Sequence, residues 1–233
     1  MAMKTFKEYL GRNVRLEEQL SVETKKMTHL LVDAVYNPYV DQYAKNRKGL
    51  VQPIEAVGWL DGRANALRRN KVIFTAGIKE NDSVLDVGCG VCHFYDYMWE
   101  HGWRGEYLGI DPNKKALDLV REDIDTRCGT IEDINGQDHM LYWDWVVASG
   151  VFNIGLKEEH TYWTIQNMIQ HAKKGVVFNM LTYPYPDEQY EAYVPEEVKS
   201  KLMDMSKYTN IKIIEDYMPE EVSDAEFTIY FYV

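Results

Sequence analysis

The stretch Val84-Leu85-Asp86-Val87-Gly88-Cys89-Gly90-Val91-Cys92-His93-Phe94 places a Gly-x-Gly turn between an apolar run and a helix-like segment. Glycines in such a turn let the backbone bend tightly and come close to a ligand. The helix start behind them offers free N–H donors to an anionic or polar group. Asp86 lies inside the apolar run, two positions before Gly88. A carboxylate in a buried strand is costly unless paired, and a ligand ammonium would pair it. Asp111 ends the next apolar run, 21 residues after Gly90. That is the spacing at which an acid binds ribose hydroxyls. Read singly, Asp111-Pro112-Asn113 is also an ordinary helix-entry turn; read with Asp86, Gly88 and Gly90, it points to a ribose-bearing cofactor.

Other reactive side chains give weaker patterns. Cys89-x-x-Cys92 has the spacing of a redox pair or half a zinc site, but Cys128 stands alone and no second pair exists. The six histidines show no metal-ligand spacing, so no metal is expected. His160 begins the helix expected after the fourth strand and is a candidate general base, with a solvated helix start as the plain alternative. Tyr36, Tyr39 and Tyr43 cluster around Pro38 and suit either an aromatic lid or an amphipathic core.

The elements that must position these groups follow from periodicity. Residues 1–50 read as helical, with Leu16, Leu20, Met27, Leu30, Leu31 and Val35 near helical spacing and Pro38 as an interruption. Gly49 and Pro53 mark a linker, and Asp61 is a plausible cap for a helix to Phe74. Then come strand Ser83–Val87, helix His93–His101, strand Glu106–Ile110 and a helix from Asn113 to about Glu122. A short strand at Arg127–Thr130, strand Trp145–Ser149, helix Glu159–Lys173 ended by Gly175, and strand Val176–Leu181 follow. Alternating strands and helices imply βαβ units and a parallel sheet. Ile211–Met218 and Glu226–Val233 are joined by only seven residues, too few for a crossover helix, so that pair is expected to be antiparallel. Between Pro184 and Tyr208 lies an insertion with a helix at Glu196–Lys207.

VLDVGCGVCHF followed by YLGIDPN resembles the first two motifs of the class I S-adenosylmethionine-dependent methyltransferases. The likeness covers roughly Asn81–Val233 and the helix before it. It implies an α/β fold: a Rossmann-like, mostly parallel sheet with a C-terminal antiparallel hairpin, plus an N-terminal helical lid. It divides the chain into a lid and substrate segment, 1–60, and a cofactor-binding domain, 61–233, with an insertion at about 184–208. The implied cofactor is S-adenosylmethionine, with S-adenosylhomocysteine as product. By resemblance, Asp86 and the Gly88-Cys89-Gly90 loop hold its methionine part, and Asp111 with Pro112 holds its ribose. Thr130 stands where the family often has Asp; Ile131 would offer its backbone N–H, and Glu132 a carboxylate, to adenine. Ser149 and Gly150 match the fourth motif beside the cofactor. Cys92 replaces the usual third glycine. Trp59, Asn65 and Arg68 resemble a Trp–polar–Arg pattern of some bacterial and phage members, with Arg68 reaching the methionine carboxylate. The acceptor side would comprise Tyr36, Tyr39, Tyr43, Phe152, Asn153 and Tyr183. A nicotinamide-binding fingerprint is disfavoured, because its last glycine position holds His93.

Composition narrows the partners. The 233 residues carry a net charge of −11, which argues against a general nucleic-acid binder. The charge is uneven: residues 1–75 hold 13 basic and 8 acidic side chains, and residues 76–233 hold 13 and 29. No apolar run could span a membrane, the first residues lack a signal-peptide core, and three cysteines suit a reducing cytoplasm. No Asn-Pro-Pro-Tyr-type or Cys-Pro motif of nucleic-acid base methylation follows the fourth strand. The expectation is therefore transfer to a small, anionic acceptor by in-line displacement. The rivals are an RNA or protein methyltransferase using the basic front segment, and a non-catalytic cofactor-binding protein.

Overall fold

The computed structural model describes residues 14–46, 62–134, 142–185, 190–219 and 226–233. A 33-residue helix, α1 (Val14–Asn46), precedes α2 (Arg63–Phe74). There follow β1 (Val84–Val87), α3 (His93–Glu100), β2 (Tyr107–Asp111), α4 (Lys114–Leu117), β3 (Thr126–Cys128) and α5 (Ile131–Ile134). The chain continues with β4 (Trp143–Ala148), α6 (Glu158–His171), β5 (Ala172–Thr182), β6 (Ala192–Tyr193) and α7 (Pro195–Met205). It closes with β7 (Ile211–Ile214) and β8 (Glu226–Tyr232). No described helix is long and apolar enough to cross a membrane.

The sheet order is β3-β2-β1-β4-β5-β8-β7, with β6 beside β5. Strands β1 to β5 pair in parallel, whereas β8 runs antiparallel to both β5 and β7. The expected mostly parallel sheet with a reversed hairpin is thus observed, and β8 is its inner member. Burial explains the composition of the strands. Every residue of β1 and six of the seven of β8 are buried, as expected where helices cover both faces.

Several boundaries differ from expectation. Pro38 lies inside α1 and does not end it. A proline removes one helical N–H bond, but contacts on either side of it, Tyr36 to Gly150 and Asp41 to Lys115, hold the helix in place. The expected stripe on α1 also shifts. Leu30 is 59% exposed, while Val32 and Val40 are buried. Helix α4 ends at Leu117, because the chain tightens into i→i+3 bonds, Leu119 N–H to Ala116 O and Val120 N–H to Leu117 O. Gly175 does not stop α6. It lies within β5, where a Cβ would come within 2.6 Å of the Trp145 ring. The proposed linker and the Asp61 cap lie outside the described residues; Gly62 occupies the cap position of α2.

Candidate functional site

The C-terminal ends of β1, β2 and β4 open into a cleft of about 860 Å³, counting its mouth. Its floor is made by Gly88, Cys89, Gly90, Asp111, Pro112, Thr130, Ile131, Glu132, Ser149 and Gly150. Its roof is α1, which contributes Thr28, Val32, Tyr36 and Val40 at four-residue intervals, one face of the helix.

The glycine turn is shaped by its backbone. Gly88 has φ +72 and Gly90 φ +54, both left-handed. A Cβ on Gly88 would lie 2.4 Å from Val151 Cγ2, so space as well as conformation demands glycine there. Cys92 has φ +60 and caps α3. This is the position of the missing third glycine, and the cysteine is held in a conformation that glycine adopts freely. The sulfur is fully buried, and neither cysteine of the turn is exposed. Burial pushes the Cys89 thiol well above its ordinary range, which opposes a redox or nucleophilic role.

Asp111 is buried at the end of β2. Gly90 N–H donates to its Oδ2 at 2.8 Å, and Asn113 N–H to its Oδ1 at 2.7 Å. It ties the glycine turn to the start of α4, with Asn113 as cap through Ala116 N–H. Desolvation raises its pKa to about 6 despite these bonds and the nearby His29 of α1. Asp86 is also buried, but the Tyr107 hydroxyl donates to it at 2.8 Å, and it does not line the cleft. Burial, opposed by that bond and reinforced by Asp111, raises it to about 7. Sequence reasoning missed Tyr107, although its register opposite Val84 in β1 brings it beside that carboxylate.

The adenine-side candidates line the cleft together. Thr130 N–H and hydroxyl both donate to Asp133 Oδ2, and Thr164 donates to the buried Glu132 at 3.2 Å. Burial raises the Glu132 pKa. Ser149 lines the cleft with its buried hydroxyl oxygen unpartnered among the described residues, a polar group that a ligand would satisfy. Neutral His93, held near pKa 4 by burial and by Arg69, lines it too.

Other candidates stand elsewhere. His160 is 3% exposed, and its Nδ1 is 2.7 Å from Thr24 Oγ1 of α1. It pins the roof to α6 and is not in the cleft, which corrects its candidacy as a base. Phe152 is fully buried against Phe178 in the core, so it does not face an acceptor. Asn153 lies outside the cleft lining, and its carbonyl accepts Glu191 N–H at 3.2 Å. Tyr183 is 64% exposed on a separate groove with Tyr162 and Tyr193. Tyr36 lines the cleft, and its hydroxyl donates to the Gly150 carbonyl at 3.2 Å. Tyr39 does not line it. The Tyr43 side chain and all of Trp59 lie outside the described residues. Arg68 is exposed, whereas Arg69 is buried and pairs with Glu226 at 2.8 Å. The buried cation of α2 is therefore one residue later than expected.

A glycine turn after the first strand, a buried acid ending the second, and a reversed hairpin beside the fifth define the Rossmann-like methyltransferase fold. Residues 84–175 match the model of the family described as "Methyltransferase domain". A Mycobacterium tuberculosis protein named "Putative methyltransferase Rv1506c" is 30% identical over 112 residues. The match spans 43% of this chain and 63% of that protein, less than two thirds of its length. Among solved structures, a SAM-dependent methyltransferase from Archaeoglobus fulgidus aligns with TM-score 0.58 at 17% identity, covering 74% of this chain and 96% of that one. Magnesium protoporphyrin IX methyltransferase from Synechocystis, with bound SAM, aligns with TM-score 0.59 at 12% identity, covering 90% and 96%. At these identities the structures establish the shared fold. The resemblance to the class I S-adenosylmethionine-dependent methyltransferases is borne out by the domain match and the fold.

Proposed function

We propose that this chain transfers a methyl group from S-adenosylmethionine to a small, anionic acceptor by in-line displacement. The observation that carries the reading is one cleft in which the Gly88–Gly90 turn, Asp111 and the unpartnered Ser149 hydroxyl face α1 across a confined space. The residues fit the cofactor. A buried carboxylate in the cleft wall, Asp111, suits a ligand that brings hydroxyl donors and positive charge to it. When bound, the cofactor supplies a methyl group already activated on sulfur.

The rest falls to the protein. Asp111, with its oxygens aimed by Gly90 and Asn113, would accept the ribose hydroxyls. The Gly88–Gly90 backbone would meet the methionine part. Ile131 and Glu132 would border the adenine. The roof residues Val32, Tyr36 and Val40 exclude water and limit the acceptor to what fits beneath one helix. Alignment and water exclusion are the main requirements of such a displacement. An acceptor that is ionised at neutral pH needs no protein base, and the basic front segment favours an anion. A labelled-methyl transfer screen over small-molecule, RNA and protein pools tests the reading. Label entering only carboxylate- or phosphate-bearing small molecules supports it; label entering only RNA or protein refutes the acceptor class.

A further inference from the structure

Asn179 lies in β5 between Phe178 and Met180 and is 2% exposed. A polar side chain inside an apolar strand is costly unless both ends of its amide are satisfied. Its Oδ1 accepts the Gly150 N–H at 2.7 Å, and its Nδ2 donates to Glu226 Oε1 at 3.4 Å. Glu226 is fixed in turn by Arg69 Nε at 2.8 Å and the Tyr217 hydroxyl at 2.7 Å. On the other side, the Gly150 carbonyl accepts the Tyr36 hydroxyl at 3.2 Å. A continuous polar path therefore runs from α2 through β8 and β5 to the turn after β4, and on to the roof helix. The amide can adopt only one orientation in it. The Glu226 carboxylate accepts, so Nδ2 must face it, and Oδ1 is left for Gly150. Gly150 itself has φ +73, a conformation that a bond to its N–H helps to hold.

We propose that Asn179 is the positioning residue of this site. By holding the Gly150 N–H, it sets the Ser149–Gly150 turn that borders the cleft and, through the Gly150 carbonyl, the Tyr36 latch that keeps α1 closed over it. The consequence for cofactor affinity rests on the methyltransferase reading; the control of the turn and the roof does not.

The test compares wild type with Asn179→Asp and Asn179→Leu. A protonated Asp reproduces the amide, with O–H to Glu226 and C=O to Gly150. An ionised Asp instead opposes the Glu226 carboxylate. The charged and titratable groups around the position are Glu226, Arg69 and Tyr217, with His93 beside Arg69. Binding of S-adenosylhomocysteine and amide hydrogen exchange along α1 are read at pH 5 and pH 8, each relative to wild type at the same pH. Asn179→Leu weakens binding about tenfold at both values, the scale of one lost buried hydrogen bond. Asn179→Asp binds nearly as wild type at pH 5 and about tenfold more weakly at pH 8, with α1 exchanging faster only at pH 8. Wild-type behaviour of both variants, or an equal pH-independent loss in both, overturns the proposal. If wild type binds no S-adenosylhomocysteine, the cofactor reading fails. The exchange of α1 in Asn179→Asp, fast at pH 8 and restored at pH 5, then still decides the positioning role.

Discussion

Gly88, Gly90 and Asp111 would meet a ligand from below with backbone and a single carboxylate, whereas α1 covers it from above with Thr28, Val32, Tyr36 and Val40. The floor is continuous with the sheet. Gly88 and Cys89 N–H both donate to Ile110 O, so the turn is tied to β2 by backbone bonds. The roof is attached through side chains. Tyr36 reaches Gly150, Asn37 reaches Asn113 at 3.2 Å, and Lys115 pairs with Asp41 at 2.8 Å in a half-exposed setting. Lys25 pairs with Asp133, and Thr24 meets His160. The exposed Lys115–Asp41 ion pair among these contributes ~0–1 kcal/mol. A floor set by backbone and a roof held by several weak links should answer differently to mutation.

The largest effect is expected on the floor. Asp111→Ala removes the proposed ribose acceptor and leaves the Gly90 and Asn113 N–H groups without their partner. At ~1.5–3 kcal/mol per bond to a charged group, affinity for S-adenosylhomocysteine falls by roughly a hundredfold or more, as calorimetry can measure. Unchanged affinity would remove Asp111 from the site.

Next comes Gly88→Ala, whose Cβ meets Val151 at 2.4 Å while φ stays at +72. The cost is ~1–3 kcal/mol, a fall of several degrees in melting midpoint. Adding Val151→Ala removes the collision but not the backbone strain, so recovery should be partial. Full recovery would show that space alone demands glycine.

The roof should respond less. Tyr36→Phe deletes one hydrogen bond worth ~0.5–1.5 kcal/mol. Ligand affinity falls a fewfold, and the melting midpoint of the free protein barely moves. A loss as large as that of Asp111→Ala would erase the contrast between the two walls.

Acidity separates them again. Asp111 and Asp86 have folded pKa values raised to about 6 and about 7 from 3.8. The fold therefore binds more protons than the unfolded chain. The stability they contribute is full below pH ~4 and is lost as pH rises through ~6–7. Thermal melts of Asp86→Asn should show a flatter decline between pH 5 and 8 than wild type. The smallest effect is Cys92→Gly. Relief at φ +60 is offset by greater unfolded-state freedom, ~0.4–1 kcal/mol, and by the lost buried sulfur. The midpoint should move by no more than ~3 °C.

The same contrast decides what could be read from sequence. Gly88, Gly90 and Asp111 were legible because backbone geometry restricts residue type at fixed spacing, and β1, β2 and β4 because buried parallel strands are nearly all apolar. The roof was legible only as a helix. Its stripe through Thr28 and Val32 includes a threonine that hydropathy passes over, and Leu30, which hydropathy selects, faces solvent. Arg68 and Arg69 cannot be told apart without knowing which side of α2 meets β8. Phe152 follows the site by two residues yet turns into the core. Asn179 was findable, since it carries the same signal as Asp86: a polar residue inside an apolar strand.

The Arg69–Glu226 pair joins side chains 157 positions apart in the chain. Contacts of such long reach form late, because the intervening chain must first be ordered. Glu226 belongs to β8, which inserts between β5 and β7, and the path to Gly150 runs through it. During refolding, β1 and its glycine turn can take shape while the turn after β4 still lacks its anchor. A ligand that needs both is therefore bound only after the hairpin has been threaded into the sheet, and its stabilisation by mass action falls on finished molecules alone.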